Sequence, residues 1–324
     1  MKNLFNALLL AAASTFALAA AAADFPIPNK PIRLVVGFPA GGGTDIQARQ
    51  VGQQLSTLLG VPVVIENKPG AGTMLAALEV AKAPADGHTL LYTPASTMAQ
   101  LPHTLSAVKY DPFKDFTPVS MGALGPLVLV VHNSVPGKSV RDLVAYAKAN
   151  PGKLNYVSQG VGTSAHIYGE IFAKQSGIDI VHVPYKGAND VAKDFIAGRV
   201  QLQFASSSAA VALAKSGEVR MLAVVAPKRS ALFPDLPTMA EQGVANMDID
   251  SWIGFFGPAA MAPQTVAKLN DALTQALKTA KVRDDFRQGG VEAQTSTPEQ
   301  FAAVVRDSHQ QWGRVLNQIG FRKE

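Results

Sequence analysis

Apolar runs alternate with stretches of helical periodicity along the opening third of the chain. Strands are predicted at residues 32–38, 61–65 and 89–92, because these runs are as apolar as buried parallel strands are. Helices are predicted over 48–58 and 74–83, where apolar side chains recur every three or four positions. Alternation of strands and helices in this order is typical of a mostly parallel sheet covered by helices.

A second series of the same kind occupies the middle of the chain, after a segment rich in proline and acidic residues at 109–118. That composition is unsuited to a core element, so the segment is interpreted as the approach to a crossing between domains. The series is predicted to contain strands at 127–131, 154–158, 180–183, 200–204 and 221–225, and helices at 140–149, 164–175, 189–197 and 209–216.

The last third of the chain is predicted to return to the first domain. A strand-like segment at 247–256 carries the chain back, and two amphipathic helices follow. One helix begins at Pro263 and the other at a capping box that starts with Thr297. The prediction is an α/β protein with two doubly wound domains joined by a two-crossing hinge. The predicted domains are residues 24–126 with 253–324, and residues 127–252.

Residues 1–23 have the pattern of a removable export signal. Lys2 supplies the basic start, residues 4–13 are apolar apart from Asn6, and alanines at 21–23 supply the small residues of a cleavage site. A membrane anchor is the alternative, but the apolar core is shorter than the ~20 residues that span a bilayer. The chain has no cysteine that could carry a lipid, so release into the periplasm is expected.

The net charge indicates which classes of ligand to expect. The formal net charge is +5, and Lys2 accounts for one of these charges, so the excess is spread along the rest of the chain. A mild positive excess suits an anionic small molecule, or it merely keeps the protein soluble. Nucleic acid binding is not expected, because the sequence has no cluster of Lys and Arg interleaved with aromatic residues. The chain is expected to act as a monomer.

Two glycine-rich turns each lie between a predicted strand and a predicted helix, at residues 38–45 and 160–166. Glycine permits backbone conformations in which successive N–H groups point to one ligand at the positive end of a helix. Taken alone, either turn could equally be only a tight connection between a strand and a helix. Two turns that face each other across a cleft predict a carboxylate site, with donors from Gly41, Gly42, Thr44, Gly160, Gly162 and Thr163.

Asp45 and His166 lie where these turns enter their helices, and the sequence leaves several roles open for each. Asp45 would repel an anion, so it is expected to stabilise its own helix start, to pair with Arg49, or to accept from a ligand group or a bridging water. His166 either faces the ligand or bonds to a neighbouring loop.

The sequence contains no established catalytic or metal-binding signature. Residues 162–166 lack the second glycine of a nucleophile elbow, and a serine at this helix start is better explained as a cap. The histidines, at 88, 103, 132, 166, 182 and 309, lack the spacing of metal ligands. We therefore expect a protein that is not an enzyme and needs no metal or other cofactor. A periplasmic hydrolase is the alternative.

Several blocks of sequence resemble the receptors of tripartite tricarboxylate transporters, also called Bug-type receptors. The blocks occur in order at residues 30–33, 37–45, 66–72, 85–90, 110–112, 160–166, 183–187 and 233–238. The resemblance implies the architecture of a type II periplasmic binding protein. It also implies capture of a small carboxylate in a cleft between domains and its delivery to a membrane permease. A receptor that reports to a sensor kinase is an alternative.

The resemblance also indicates which residues bind. Ser96, Ser206 and Ser207 are candidates for the far end of the ligand, and the glycine loops are implied to hold one carboxylate. The implied residues are Phe38, Ala40, Gly41, Gly42, Thr44 and Asp45 in the first loop, and Gly160, Val161, Gly162, Thr163 and His166 in the second.

One departure from the family bears on the ligand. After the strand that ends in Phe204, many relatives carry an acidic residue, whereas this chain has Ala205 and then serines. The missing acid disfavours a ligand with an ammonium group. Small serines leave room for a dicarboxylate or an aromatic acid, and Lys186 is either a counter-charge for it or a solvated loop lysine.

Overall fold

The computed structural model describes residues 25–185, 188–249 and 251–323. The predicted signal at 1–23 and Lys186 therefore lie outside the described residues. The strands are β1 (Ile32–Val36), β2 (Val63–Asn67), β3 (Thr89–Pro94), β4 (Phe116–Leu124), β5 (Leu127–His132), β6 (Leu154–Ser158), β7 (Ile180–Pro184), β8 (Leu202–Ser206), β9 (Val219–Val225), β10 (Trp252–Pro258) and β11 (Glu292–Ala293).

Helices connect these strands and pack on both faces of the sheets. They are α1 (Gly43–Leu59), α2 (Met74–Ala81), α3 (Leu101–Thr104), α4 (Val140–Ala149), α5 (Ser164–Ser176), α6 (Ala188–Ile196), α7 (Ser207–Ala214), α8 (Pro263–Lys278), α9 (Ala280–Gln288) and α10 (Pro298–Ile319). A π-helical turn, Ser96–Gln100, precedes α3 directly. Among the described residues, no helix combines the length and the apolar character needed to span a membrane.

The strands form two sheets, which confirms the predicted two-domain α/β class. The first sheet has the order β11-β4-β10-β3-β1-β2, and the second has the order β7-β6-β8-β5-β9. In the first sheet, β2, β1 and β3 are parallel, and β10 runs antiparallel between β3 and β4. In the second, β7, β6 and β8 are parallel and β5 is antiparallel to both of its neighbours. The two glycine loops follow the carboxyl ends of β1 and β6, which are parallel strands of the first and second sheet.

The chain passes between the sheets twice. The first crossing is the short link between β4 and β5, and the second lies between β9 and β10. Trp252 already pairs with Leu124 in the first sheet. The predicted limits at 126/127 and 252/253 are close to these crossings, and we propose them as the domain boundaries.

The exclusion of residues 109–118 from the core is wrong, although the segment does lead to the first crossing. The strand β4 begins inside this segment, at Phe116, and both Tyr110 and Phe116 are buried. Their rings meet edge to face, with centroids 5.6 Å apart. Pro118 is tolerated because β11 is so short that β4 has no second partner strand there. Burial of two aromatic rings therefore outweighs the polar composition.

The helix α10 contacts the cores of both sheets. It begins with the predicted capping box, in which Thr297 and Gln300 each bond to the other's backbone N–H. Phe301 packs with Trp252 under the first sheet, at a ring distance of 5.1 Å. Toward the other end of the helix, Trp312 packs on Tyr168 in the core of the second sheet, with ring centroids 5.3 Å apart. A helix assigned by sequence to the first domain thus also completes the core of the second.

The substitution Gly254→Ala tests the packing of α10 on the first sheet. A methyl group added to Gly254 in β10 would overlap with the Phe301 ring. We expect the variant to lose about 1–3 kcal/mol of unfolding free energy through overpacking, measured by urea denaturation. Gly42→Ala is the matched control, since the nearest atom to its added carbon is the Pro39 carbonyl oxygen at 3.4 Å. Equal losses in the two variants would contradict the assignment.

Candidate functional site

The first glycine loop leaves the carboxyl end of β1 and enters α1. Gly41 has φ of +81°, a left-handed conformation that favours glycine. Gly37 lies so close to Thr73 that an added Cβ would be 2.6 Å from the Thr73 Cβ. The loop therefore needs glycine at one position for its backbone angle and at another for space.

The carboxylate of Asp45 holds this loop from inside. Asp45 is 2% exposed and accepts from the Gly41 N–H at 2.9 Å and from the Asn67 side-chain amide at 2.9 Å. Arg49 donates to it at 3.0 Å, and Asn67 also donates to the Phe38 carbonyl. Burial favours the neutral acid, but these bonds outweigh it and keep the pKa of Asp45 below its usual value. Of the predicted roles, the structure shows the helix start and the pair with Arg49.

One predicted ligand donor is already used by this arrangement. The Gly41 N–H donates to Asp45, and the Gly42 N–H makes only a long contact of 3.4 Å with the Pro39 carbonyl. No side chain caps the first turn of α1, where Thr44 lies. Binding of a carboxylate by the Gly41 amide stays a prediction, and the first turn of α1 has further backbone donors without a side-chain cap.

The second glycine loop has the same internal closure. The Gly162 N–H donates to Nδ1 of His166 at 3.1 Å, so His166 bonds to its neighbouring loop, as one of the two predicted alternatives states. The Thr163 hydroxyl donates to the Gly160 carbonyl at 2.7 Å, and the Gly160 N–H donates to the Ser158 hydroxyl at 3.2 Å. The Gly162 N–H, Gly160 N–H and Thr163 hydroxyl groups thus serve the loop itself. Val161 between them is half-buried.

A pair of stacked histidines supports this loop from behind. The rings of His166 and His182 have centroids 4.0 Å apart and planes inclined by 15°, and Tyr156 stacks on His182 at 4.9 Å. The Ser158 hydroxyl lies 2.7 Å from Nε2 of His182. Burial, together with His166, lowers the pKa of His182 to about 4. His182 is therefore neutral at ordinary pH and can stack on its neighbour.

The three consecutive serines after Phe204 take three different roles. Ser206 is exposed and caps α7 by accepting from the Ala209 N–H at 3.3 Å. Ser207 is buried, and its hydroxyl lies against Gly125 at the first crossing between sheets. Ser208, which the sequence reasoning missed, faces Gly43 at the start of α1, within 2.9 Å of the position of an added Cβ. The direction in which each serine points depends on how α7 is rotated about its axis, and the sequence alone did not predict that rotation.

Residues of the first half also touch the second glycine loop. Gly72 lies against the Thr163 side chain, with 3.5 Å from an added Cβ to Cγ2. Gln100 and Thr104, which sequence reasoning missed, donate to the Gly162 carbonyl. The predicted candidate Ser96 begins the π-helical turn that carries Gln100. The structure thus places the start of α1 beside α7, and the start of α5 beside the π-helical turn that follows β3.

The site contains no arrangement typical of nucleophilic catalysis. The Ser164 hydroxyl donates to the Gln100 amide oxygen at 2.6 Å, and Nδ1 of His166 is occupied by the Gly162 amide. Within residues 25–185, 188–249 and 251–323, no group of three His, Asp or Glu side chains could hold a metal ion.

Comparisons with known proteins agree with this description. The family model of the tripartite tricarboxylate transporter family receptor matches residues 47–321. Protein BugT of Bordetella pertussis is 34% identical over 310 residues, 95% of this chain and 94% of BugT. The structure of periplasmic binding protein BugD is 29% identical, with a TM-score of 0.84 over 92% of this chain and all of BugD. Rpa4515 of R. palustris with adipate is 34% identical, with a TM-score of 0.86 over 92% of this chain and 99% of that one.

The substitution Asp45→Asn tests the closure of the first loop. The folded pKa of Asp45 lies below the unfolded value, so its contribution to stability is present above about pH 4 and disappears as the pH falls through the folded pKa. We expect a loss of about 1 kcal/mol at pH 7, since Arg49 is half exposed and solvent screens the pair. The difference from wild type should shrink in urea titrations below about pH 4. Asp307→Asn, on an exposed face of α10, is the control, and a pH-independent loss for Asp45→Asn would refute the role.

Proposed function

Because the chain belongs to the tripartite tricarboxylate transporter receptor family, we propose that it binds a small carboxylate between its two glycine loops and delivers it to a membrane permease. The bound carboxylate would lie where the starts of α1 and α5 approach each other. Hinge closure would then shut it off from water, which strengthens charge-assisted hydrogen bonds.

The observation that carries this proposal is the pair of helix starts left without side-chain caps. Neither α1 nor α5 has a side-chain bond to its first-turn amides, and each follows a glycine loop at the carboxyl end of a parallel strand. In the proposed site the positive ends of both helices would face one anion, which would gain from both. Internal bonds already satisfy the polar groups of the loops, so the site needs little reordering on binding.

The chemistry of the far end favours an acid over an amino acid. The positions after Phe204 carry no acidic side chain to pair with an ammonium group, and Ser206 and Ser208 are small. Rpa4515, a similar protein, has a structure with adipate, a dicarboxylate. A dicarboxylate or an aromatic acid is therefore the ligand class that we propose, with the protein acting as a receptor and catalysing no reaction.

A thermal-shift screen of residues 24–324 tests the proposed ligand class. We expect adipate, malate or benzoate to raise the melting temperature, because a ligand that binds only the folded state stabilises it. Glutamate and glucose should leave it unchanged, and calorimetry should give the affinity of each acid that binds. NMR of the mixture should show the acid unconsumed. A shift with glucose alone, or turnover of any acid, would refute the proposal.

We propose that the receptor works in the periplasm after removal of residues 1–23. Expression in a Gram-negative host should yield a periplasmic chain that begins at Asp24, as measured by intact mass spectrometry. A variant with Asn in place of Ala at positions 21 and 23 should be processed poorly, because signal peptidase requires small residues there. Recovery of the full-length wild-type chain in the membrane pellet would contradict export with cleavage.

A further inference from the structure

Both polar atoms of the Gln100 side-chain amide form hydrogen bonds with the second glycine loop. It is completely buried at the end of the π-helical turn that follows β3. Its Nε2 donates to the Gly162 carbonyl at 2.7 Å, and its Oε1 accepts from the Ser164 hydroxyl at 2.6 Å. A side chain from before the first crossing therefore fixes a loop that belongs to the second sheet.

The Gly162 carbonyl receives a second donor from the same segment. The Thr104 hydroxyl donates to it at 3.1 Å, so both acceptor positions of the carbonyl oxygen are used. The N–H of the same residue donates to His166. The peptide groups on both sides of Gly162 are therefore held in one orientation, although glycine is the residue with the widest freedom to rotate.

This orientation matters for an anion because each peptide group has a negative end. A loop that binds a carboxylate must turn its N–H groups toward the ligand and its carbonyl oxygens away from it. Gln100 and Thr104 draw the Gly162 carbonyl toward the first half of the protein and compensate its partial charge there. If the donors were lost, the oxygen would be a buried acceptor free to rotate toward the cleft.

The turn that carries Gln100 is itself firmly anchored. The Thr97 hydroxyl lies 2.6 Å from that of Thr93 and 2.5 Å from that of Thr73, and the Tyr110 hydroxyl donates to the Thr97 carbonyl at 2.5 Å. Ala99 is buried in the same cluster as the core of the second sheet. The Gln100 side chain therefore starts from a fixed backbone, which is what a positioning residue requires.

We propose that Gln100 positions the second glycine loop for carboxylate binding by holding the Gly162 carbonyl away from the bound anion, an inference that rests on the proposed carboxylate site. Thr104 assists it as the second donor. Gln100 itself need not touch the ligand.

Three variants separate this role from simple packing. Gln100→Leu removes donor and acceptor while keeping the volume, Thr104→Val removes one donor, and Gln100→Glu removes the donor wherever its carboxyl group is ionised while keeping the shape. Gln203→Leu is the matched control, because Gln203 is 2% exposed on β8 and its amide oxygen has no hydrogen-bond partner among the described residues.

Hydrogen exchange in the ligand-free protein gives the first measurement. Amides in residues 159–166 should exchange about tenfold faster in Gln100→Leu than in wild type, and less so in Thr104→Val, because buried bonds that hold the loop are lost. Gln203→Leu should leave this segment unchanged. Unchanged exchange in Gln100→Leu would overturn the inference, whether or not an acid is found to bind.

The second measurement is the affinity of each variant for adipate, determined by calorimetry and expressed as a ratio to wild type at each pH. We expect about a tenfold loss for Gln100→Leu at every pH. For Gln100→Glu the loss should be full where the carboxyl group is ionised and shrink as the pH falls through its pKa, which burial raises, since a protonated carboxyl group can again donate to the Gly162 carbonyl. A loss that does not recover would assign the residue to packing alone. A wild type that binds no acid would refute the proposed function and with it the role toward an anion, and the exchange rates would still decide whether Gln100 holds the loop.

Discussion

Each glycine loop is held by a hydrogen bond from one of its own amides to a side chain four residues further on. The Gly41 N–H donates to Asp45, and the Gly162 N–H donates to His166. This closure gives the loops a fixed backbone without any ligand. It also occupies two glycine amides, so at the proposed carboxylate site the first turns of α1 and α5 would supply the other backbone donors. The preformed dipoles then lose little entropy on binding.

The two closures are electrically different. Asp45 introduces a charge beside a site for an anion, and two like charges about 5 Å apart repel by about 3 kcal/mol at an effective dielectric constant of about 20. Arg49 and Asn67 offset that charge, so the first loop is close to neutral as seen from the cleft. His166 closes the second loop through a ring nitrogen, which carries no negative charge, and its other ring nitrogen lies 3.8 Å from a Glu170 carboxylate oxygen. The first loop thus depends on a side-chain network, and the second depends on ring stacking.

Local signals predicted most elements of the fold but few of the contacts in the site. The bounds of α4 and β6 agree with the prediction because a capping box and an apolar run define them within a few residues. The strand β4 was missed altogether, because burial of its aromatic residues depends on distant partners. The roles of Ser208 and Gln100 depend on helix phase and on packing between the two halves, which no local pattern encodes. The glycine loops could be predicted because glycines between a strand and a helix are a pattern that is local in the sequence.

The helix α10 limits how the two halves can separate. Trp312, Leu316 and Ile319 at its carboxyl end are buried with the core of the second sheet, while Phe301 at its amino end is buried with that of the first. Exposing each of the three would cost about 2 kcal/mol, so exposing them together would cost more than the about 1.5–3 kcal/mol of one hydrogen bond to a charged group. The contacts at Gly43 and Ser208, between small side chains, are much weaker. In the proposed binding cycle, opening would therefore pivot near α10 and separate α1 from α7, and Gln100, on the turn packed beside α10, would stay in place on the second loop.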